Sequence, residues 1–177
     1  LVIYDVSASG ANSITFKVRT SPVSRWTGNS SVNWDDTGNW TAGVPTSSRD
    51  AVIPAGCPRY PTLNVNASSK DLTIETGGSL NVSSKTMGIN GNASVAGTLI
   101  MNNSAGQFFS LGDINWMPGV SIQFSNEPQI ILHGNMNVAS GANLALNHGS
   151  VKFIGSGEST ITCLNMSSFH DLICEKG

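Results

Sequence analysis

The sequence predicts an all-β chain wound as a right-handed parallel β-helix, with about three short strands per coil of roughly 22 residues. Three observations carry that prediction. The stretch GDINWMPGVSIQF (Gly112 to Phe124) returns as GNMNVASGANLAL (Gly134 to Leu146), keeping its glycines and alternate apolar residues while nearly everything else changes. Segments on either side, from Leu72 to Phe153, fall into the same columns at nearly the same offset. Each short piece alternates apolar and polar residues, the period of a strand, and is cut by a glycine turn: TGGS, VAGT, MPGV, ASGA, NHGS.

The columns define the expected core. One reads Leu72, Ala93, Ile114, Met136, and the next reads Ile74, Val95, Trp116, Val138. After the turn come Leu80, Leu99, Ile122, Leu144, then Val82, Met101, Phe124, Leu146. A third face stacks Phe108, Ile130 and Val151, with Leu132 under Phe153. A lone coil cannot bury its inward side chains. Stacking coils about 4.8 Å apart pairs each backbone with the next and sets like side chains on like. A β-sandwich also has many short strands, but it needs hairpin order rather than columns at a constant offset. No segment offers a helical apolar stripe over three turns.

The segment RWTGNSSVNWDDTGNWTAGVPTSSRDAVIP (Arg25 to Pro54) departs from the repeats and holds three of the four tryptophans. The first coil of a solenoid exposes an apolar end, so Trp26, Trp34 and Trp40 are expected to close it as a cap. The competing reading is an exposed platform on which sugar rings stack. Residues 1–24 contain two alternating runs, Val2 to Val6 and Ile14 to Val18, around Gly10 and Asn12. They read as strands of the cap or as the tail of a preceding domain. The expected division is therefore 1–24 and a capped solenoid over 25–177. The chain opens without Met and stops straight after a strand-like run, which would leave an open sheet edge. It is expected to be a piece of a longer polypeptide with adjoining domains, continuing past Gly177.

Composition narrows the function classes. Charged residues are 11% of 177, against roughly 25% in ordinary globular proteins, and the net charge is −2. A nucleic-acid partner would demand a basic stripe, so none is expected. No apolar run approaches the roughly 20 residues of a membrane-spanning helix. The three cysteines are too few for a disulfide scaffold and show no CxxC or Cys/His metal spacing. By extending the columns, Cys163 falls in the slot after Val138 and Cys174 in the slot after Leu146. Both are therefore expected to be buried free thiols on different faces, and Cys57 sits in the loop AGCPRYP without an obvious partner.

A resemblance enters at the tryptophan segment. Trp26-Thr27-Gly28, Trp34, Asn39-Trp40, Gly43-Val44-Pro45 and Asp50-Ala51-Val52-Ile53-Pro54 follow one another in an order that resembles the opening of adhesin-like β-helical repeat regions. Such regions occur in large secreted or cell-surface proteins of the Bacteroidetes type. DLTIETGGSLNV and GSVKFIGSGESTITCLNMSSFHDLICEKG are similar to that family's coils, with Cys163 where a glycine is usual. The likeness spans about Arg25 to Gly177. It implies a parallel β-helix at the cell surface or outside the cell, and it transfers no catalytic residue.

Parallel β-helices include polysaccharide-cleaving enzymes, which need converging carboxylates or a base beside a cation. The outward columns Asn92, Asp113, Asn135 and Ser94, Asn115, Asn137 supply one carboxylate among amides, and Arg49, Arg59, Lys70, Lys85 and Lys152 are scattered. Amide ladders along the stack fit better, and no catalytic residue is assigned. His133, His148 and His170 read as corner or surface residues. His170-Asp171 is half of a catalytic relay without a serine motif to complete it. The segment DDTGN brings Asp35, Asp36 and Asn39 together as a weak calcium candidate, against an Asx turn as the plainer reading, and no other metal or cofactor is expected. The expected function is a non-catalytic extracellular structural or adhesive module contacting glycans or other surface proteins. The alternatives are a carbohydrate-active lyase or hydrolase (or its accessory domain) and, more remotely, an ice-face binder.

Overall fold

The computed structural model of the protein describes residues 2–8, 14–19, 23–164 and 167–177. Strands β1 (Val2–Ala8) and β2 (Ile14–Arg19) pair antiparallel. The turn expected at Gly10 and Asn12 lies outside the described residues. The solenoid opens with β3 (Val23–Arg25), which straddles the expected boundary at residue 24. A second coil holds β4 (Asp50–Ile53) and β5 (Ala67–Ser69). Three coils of three strands follow: β6 (Leu72–Ile74), β7 (Ser79–Asn81) and β8 (Thr86–Ile89), then β9 (Ala93–Val95), β10 (Thr98–Met101) and β11 (Gln107–Ser110), then β12 (Ile114–Trp116), β13 (Ser121–Phe124) and β14 (Gln129–Leu132). The last two coils carry β15 (Met136–Val138) with β16 (Ala145–Gly155), and β17 (Ile161–Cys163) with β18 (Ser168–Lys176).

Equivalent strands of successive coils pair in parallel. They form a seven-stranded sheet (β3-β4-β6-β9-β12-β15-β17), a six-stranded sheet (β5-β8-β11-β14-β16-β18) and a three-stranded sheet (β7-β10-β13). This is a parallel β-solenoid of about six turns at roughly 21 residues per turn. Leu72 pairs with Ala93, Ala93 with Ile114, and Ile114 with Met136, as the columns predict. Leu80, Leu99 and Ile122 align likewise, as do Phe108, Ile130 and Val151. Strands β6, β9 and β12 alternate buried and half-buried residues, and the inward residues of the solenoid strands fill a single central core. Ile114, Trp116, Val95, Leu99, Met101 and Phe108 are all fully buried there. Among the described residues the only helical element is the 3-10 turn Thr37–Asn39.

One corner explains both a glycine and a polar residue in three successive coils: Gly91-Asn92, Gly112-Asp113 and Gly134-Asn135. Asp71 Oδ1 accepts the Asn92 N–H (2.8 Å), Asn92 Oδ1 accepts the Asp113 N–H (2.8 Å), and Asp113 Oδ1 accepts the Asn135 N–H (2.7 Å). Asn135 Oδ1 continues the ladder to the Thr160 N–H (2.9 Å). Each Asx side chain thus reaches up to the same position one coil on. The space it crosses lies against the glycine before that position. A Cβ at Gly91 would overlap Asp71 Oδ1, and a Cβ at Gly134 would sit 2.6 Å from Asp113 Oδ1. These glycines serve close approach. Gly119 and Gly141, at the next turn, serve backbone conformation, with φ of 89° and 85°.

Two expectations fail at the last coil. Cys174 pairs with Phe153, not above Leu146: Phe169 takes the place on Leu146, and Cys174 belongs to the column of Leu132 and Phe153. Between the Leu146–Phe169 and Ser150–Asp171 pairs, Asn147, His148 and Gly149 bulge against the single residue His170. Cys163 does pair with Val138, and all three thiols are free, but Cys163 and Cys174 are exposed rather than buried. They occupy inward positions over which no coil lies here. Ile161 and Leu172, inward on the same strands, are 38% and 53% exposed for the same reason.

Leu99→Ala should cost about 2–5 kcal/mol in chemical denaturation, since a buried leucine leaves a cavity in a close-packed column. Gly91→Ala should also destabilise, and the cost should shrink in an Asp71→Ala background that removes the oxygen in its way. A double-mutant cycle should return a coupling of about 0.5–3 kcal/mol.

Candidate functional site

The tryptophan segment folds over the first coils as a buried cap. Trp26, Trp34 and Trp40 are 1%, 1% and 5% exposed, which rules out a stacking platform for sugar rings. Trp40 meets both other indoles edge to face, with centroids 5.1 Å from Trp26 and 4.7 Å from Trp34, a geometry that the ring quadrupoles favour. Trp26 Nε1 donates to Arg59 O and Trp40 Nε1 to Trp34 O, each at 2.7 Å. Trp34 Nε1 is buried without a hydrogen-bond partner. Val44, Cys57 and Tyr60 pack against this core from the loops, and burial pushes the Cys57 thiol pKa up.

The polar residues of DDTGN hold that cap in place. Asn39 is fully buried, and its Oδ1 accepts the Ser30 and Ser31 N–H groups at 2.9 and 3.0 Å. Its Nδ2 donates to Ser31 Oγ and Asn33 O at 3.0 and 3.1 Å, which satisfies the amide completely. Asp36 accepts from Ser30 Oγ (2.7 Å) and Ser31 Oγ (2.8 Å) through Oδ2, and from Gly38 N–H (2.9 Å) through Oδ1. The last bond is the Asx turn that the sequence offers as the plainer reading. Asp35 turns the other way, accepting from Asn64 Nδ2 at 2.7 Å. Asp36 and Asn39 therefore spend their oxygens on internal donors, and Asp35 bonds away from them to Asn64. Among the described residues no three or more His, Cys, Asp or Glu are arranged to hold a metal ion.

The outward columns are ladders. Ser94, Asn115 and Asn137 align, and Asn137 Nδ2 donates to Asn115 Oδ1 at 2.9 Å. Asn115 Nδ2 in turn donates to Ala93 O at 3.3 Å. The carboxylates of Asp71 and Asp113 are committed to backbone N–H groups, as described above. Charge pairs lie apart from one another: Arg25 with Glu75 (2.8 Å) and Lys152 with Glu175 (2.7 Å).

The histidines separate into two settings. His133 packs edge-on against Phe109 on the outside of the six-stranded sheet, with centroids 5.8 Å apart. His148 and His170 sit at a corner with Glu127 and Asp171, on three successive coils. Glu127 accepts the Gly149 N–H at 2.9 Å, and that bond, with the two nearby imidazoles, holds its carboxyl below the usual range. Sequence reasoning places these histidines at corners but misses their convergence, because the bulge that aligns them has no pattern of its own.

Residues 25–109 match a family described as a domain of unknown function (DUF8693). The matched span takes in the cap and the coils up to β11. No curated protein and no solved structure matches the chain. Among the described residues no helix is long and apolar enough to cross a membrane.

Trp34→Phe removes an indole N–H that has no partner, whereas Trp40→Phe strands a buried carbonyl. Trp40→Phe should be the more destabilising by about 1 kcal/mol or more in urea unfolding. Hydrogen bonds from Ser30, Ser31 and Gly38 lower the Asp36 pKa in the folded state. The unfolded chain then binds the extra proton first. Asp36 contributes its stabilisation above pH about 4 and loses it as pH falls through its depressed folded value. Asp36→Asn should flatten that part of the acid unfolding curve.

Proposed function

We propose that this chain is a non-catalytic structural and adhesive module of a secreted or surface-anchored bacterial protein. Its β-helical body holds polar side chains at fixed intervals for weak, repeated contact with glycans or other surface proteins. The observation that carries this reading is the outward face of the seven-stranded sheet. There hydroxyls and amides recur once per coil (Thr73, Ser94, Asn115, Asn137, Thr162), while the neighbouring carboxylates are consumed in holding coils together. Evenly spaced weak contacts gain avidity from their number, so such a surface needs no deep pocket. The likeness of Trp26 to Pro54 to the opening of adhesin-like regions supports the same reading and an extracellular setting.

A glycan array probed with the intact chain, clustered on beads, tests it. Binding is expected to one class of surface polysaccharide, reduced in Asn115→Ala/Asn137→Ala. No binding at any density would leave a spacer and remove the adhesive part. Shortening of any offered polysaccharide would replace the reading with a carbohydrate-active enzyme.

A further inference from the structure

We propose that His148 and His170 form a two-imidazole chelate for a late divalent transition-metal ion of the Zn²⁺, Ni²⁺ or Cu²⁺ class. The two residues come from adjacent coils, and the bulge at Asn147 to Gly149 brings them over one another. Their rings stack with centroids 6.3 Å apart and planes 25° apart. His148 Nδ1 lies 3.5 Å from Glu127 Oε1, and His170 Nδ1 lies 3.8 Å from Glu127 Oε2 and 3.5 Å from Asp171 Oδ2. Carboxylates therefore face the Nδ1 side of both rings. In imidazole metal sites the nitrogen that does not bind metal typically donates its N–H to a carboxylate, which fixes the tautomer and raises the basicity of the other nitrogen. Here the carboxylates stand 3.5–3.8 Å from the Nδ1 atoms, placed to take those N–H groups as the rings turn onto an ion and to leave each Nε2 as the ligand.

The corner under the pair is fixed. Glu127 has a left-handed backbone (φ 55°) and grips the Gly149 N–H, and a Cβ at Gly149 would collide with Pro128 O. The rings above it are free to pivot, with side chains 54% and 47% exposed. Two nitrogens on one ion stand about 3–4 Å apart, so the rings close on the ion by side-chain rotation. Water fills the other positions, and the site needs only two protein donors. Imidazole donors select these ions over calcium and magnesium. The ion would tie the last two coils together, so it binds the folded chain in preference to the unfolded one.

Titration of the intact chain with Ni²⁺ by calorimetry tests the proposal. One saturable site is expected, weakened about tenfold or more in His148→Asn and in His170→Asn. The site should be unchanged in Cys163→Ser/Cys174→Ser, and Ni²⁺ should raise the Tm of the unsubstituted chain alone among the histidine variants. In the unsubstituted chain, Co²⁺ should broaden the ring-proton NMR signals of His148 and His170 before those of His133. No saturable uptake, affinity that survives either histidine substitution, or loss with the thiols instead would overturn it.

Discussion

Everything in this molecule depends on each coil lying in parallel register on the coil below. At about 4.8 Å between strands, a side chain has no lateral freedom to choose its neighbour, and position in the coil dictates the contact. Inward positions are mostly apolar, and where a polar residue stands among them, as Ser110 does between Ile89 and Leu132, its hydroxyl donates to a backbone carbonyl, that of Gly91. Corner positions must leave room for whatever projects from the adjacent coil. The Asx ladder from Asp71 to Thr160 meets both demands at the corner. It satisfies a backbone donor of each next coil and occupies the volume that a glycine vacates.

The same register limits what the charged residues can do. With few ionisable groups in the chain, Asp71 and Asp113 are spent on backbone amides and Asp36 on two serines and a turn. On the outward face of the seven-stranded sheet, what recurs at regular intervals is hydroxyl and amide, whereas the six-stranded sheet presents Phe109, Ile131 and Lys152. The Glu127 corner stands apart, because there the period breaks and side chains from three coils are thrown together.

The sequence made the columns legible because inward positions recur while outward ones drift. Leu72 to Met136 and Leu80 to Ile122 aligned residue for residue. It was less informative where a fact depends on what lies above or beside a residue. Cys174 lies over Phe153 because Phe169 takes the place on Leu146, a choice between apolar residues of one run that spacing alone does not make. The burial of Cys163 depended on a covering coil. Trp34 would read the same in sequence whether capped or exposed, and only packing against Trp40 distinguishes the two. The corner column of Asn92, Asp113 and Asn135 was visible, but its bonds to the backbone of the next coil were not.

Native-state hydrogen exchange at the corner amides tests the central claim most directly. The N–H groups of Asn92, Asp113 and Asn135 sit beside solvent-facing side chains, so without the ladder they would exchange like loop amides. If the coils stack as described, all three exchange as slowly as the strand amides of Ala93 and Ile114, and Asn92→Ala selectively speeds the exchange of Asp113. Fast exchange at all three corners, with Ala93 and Ile114 protected, would contradict the account.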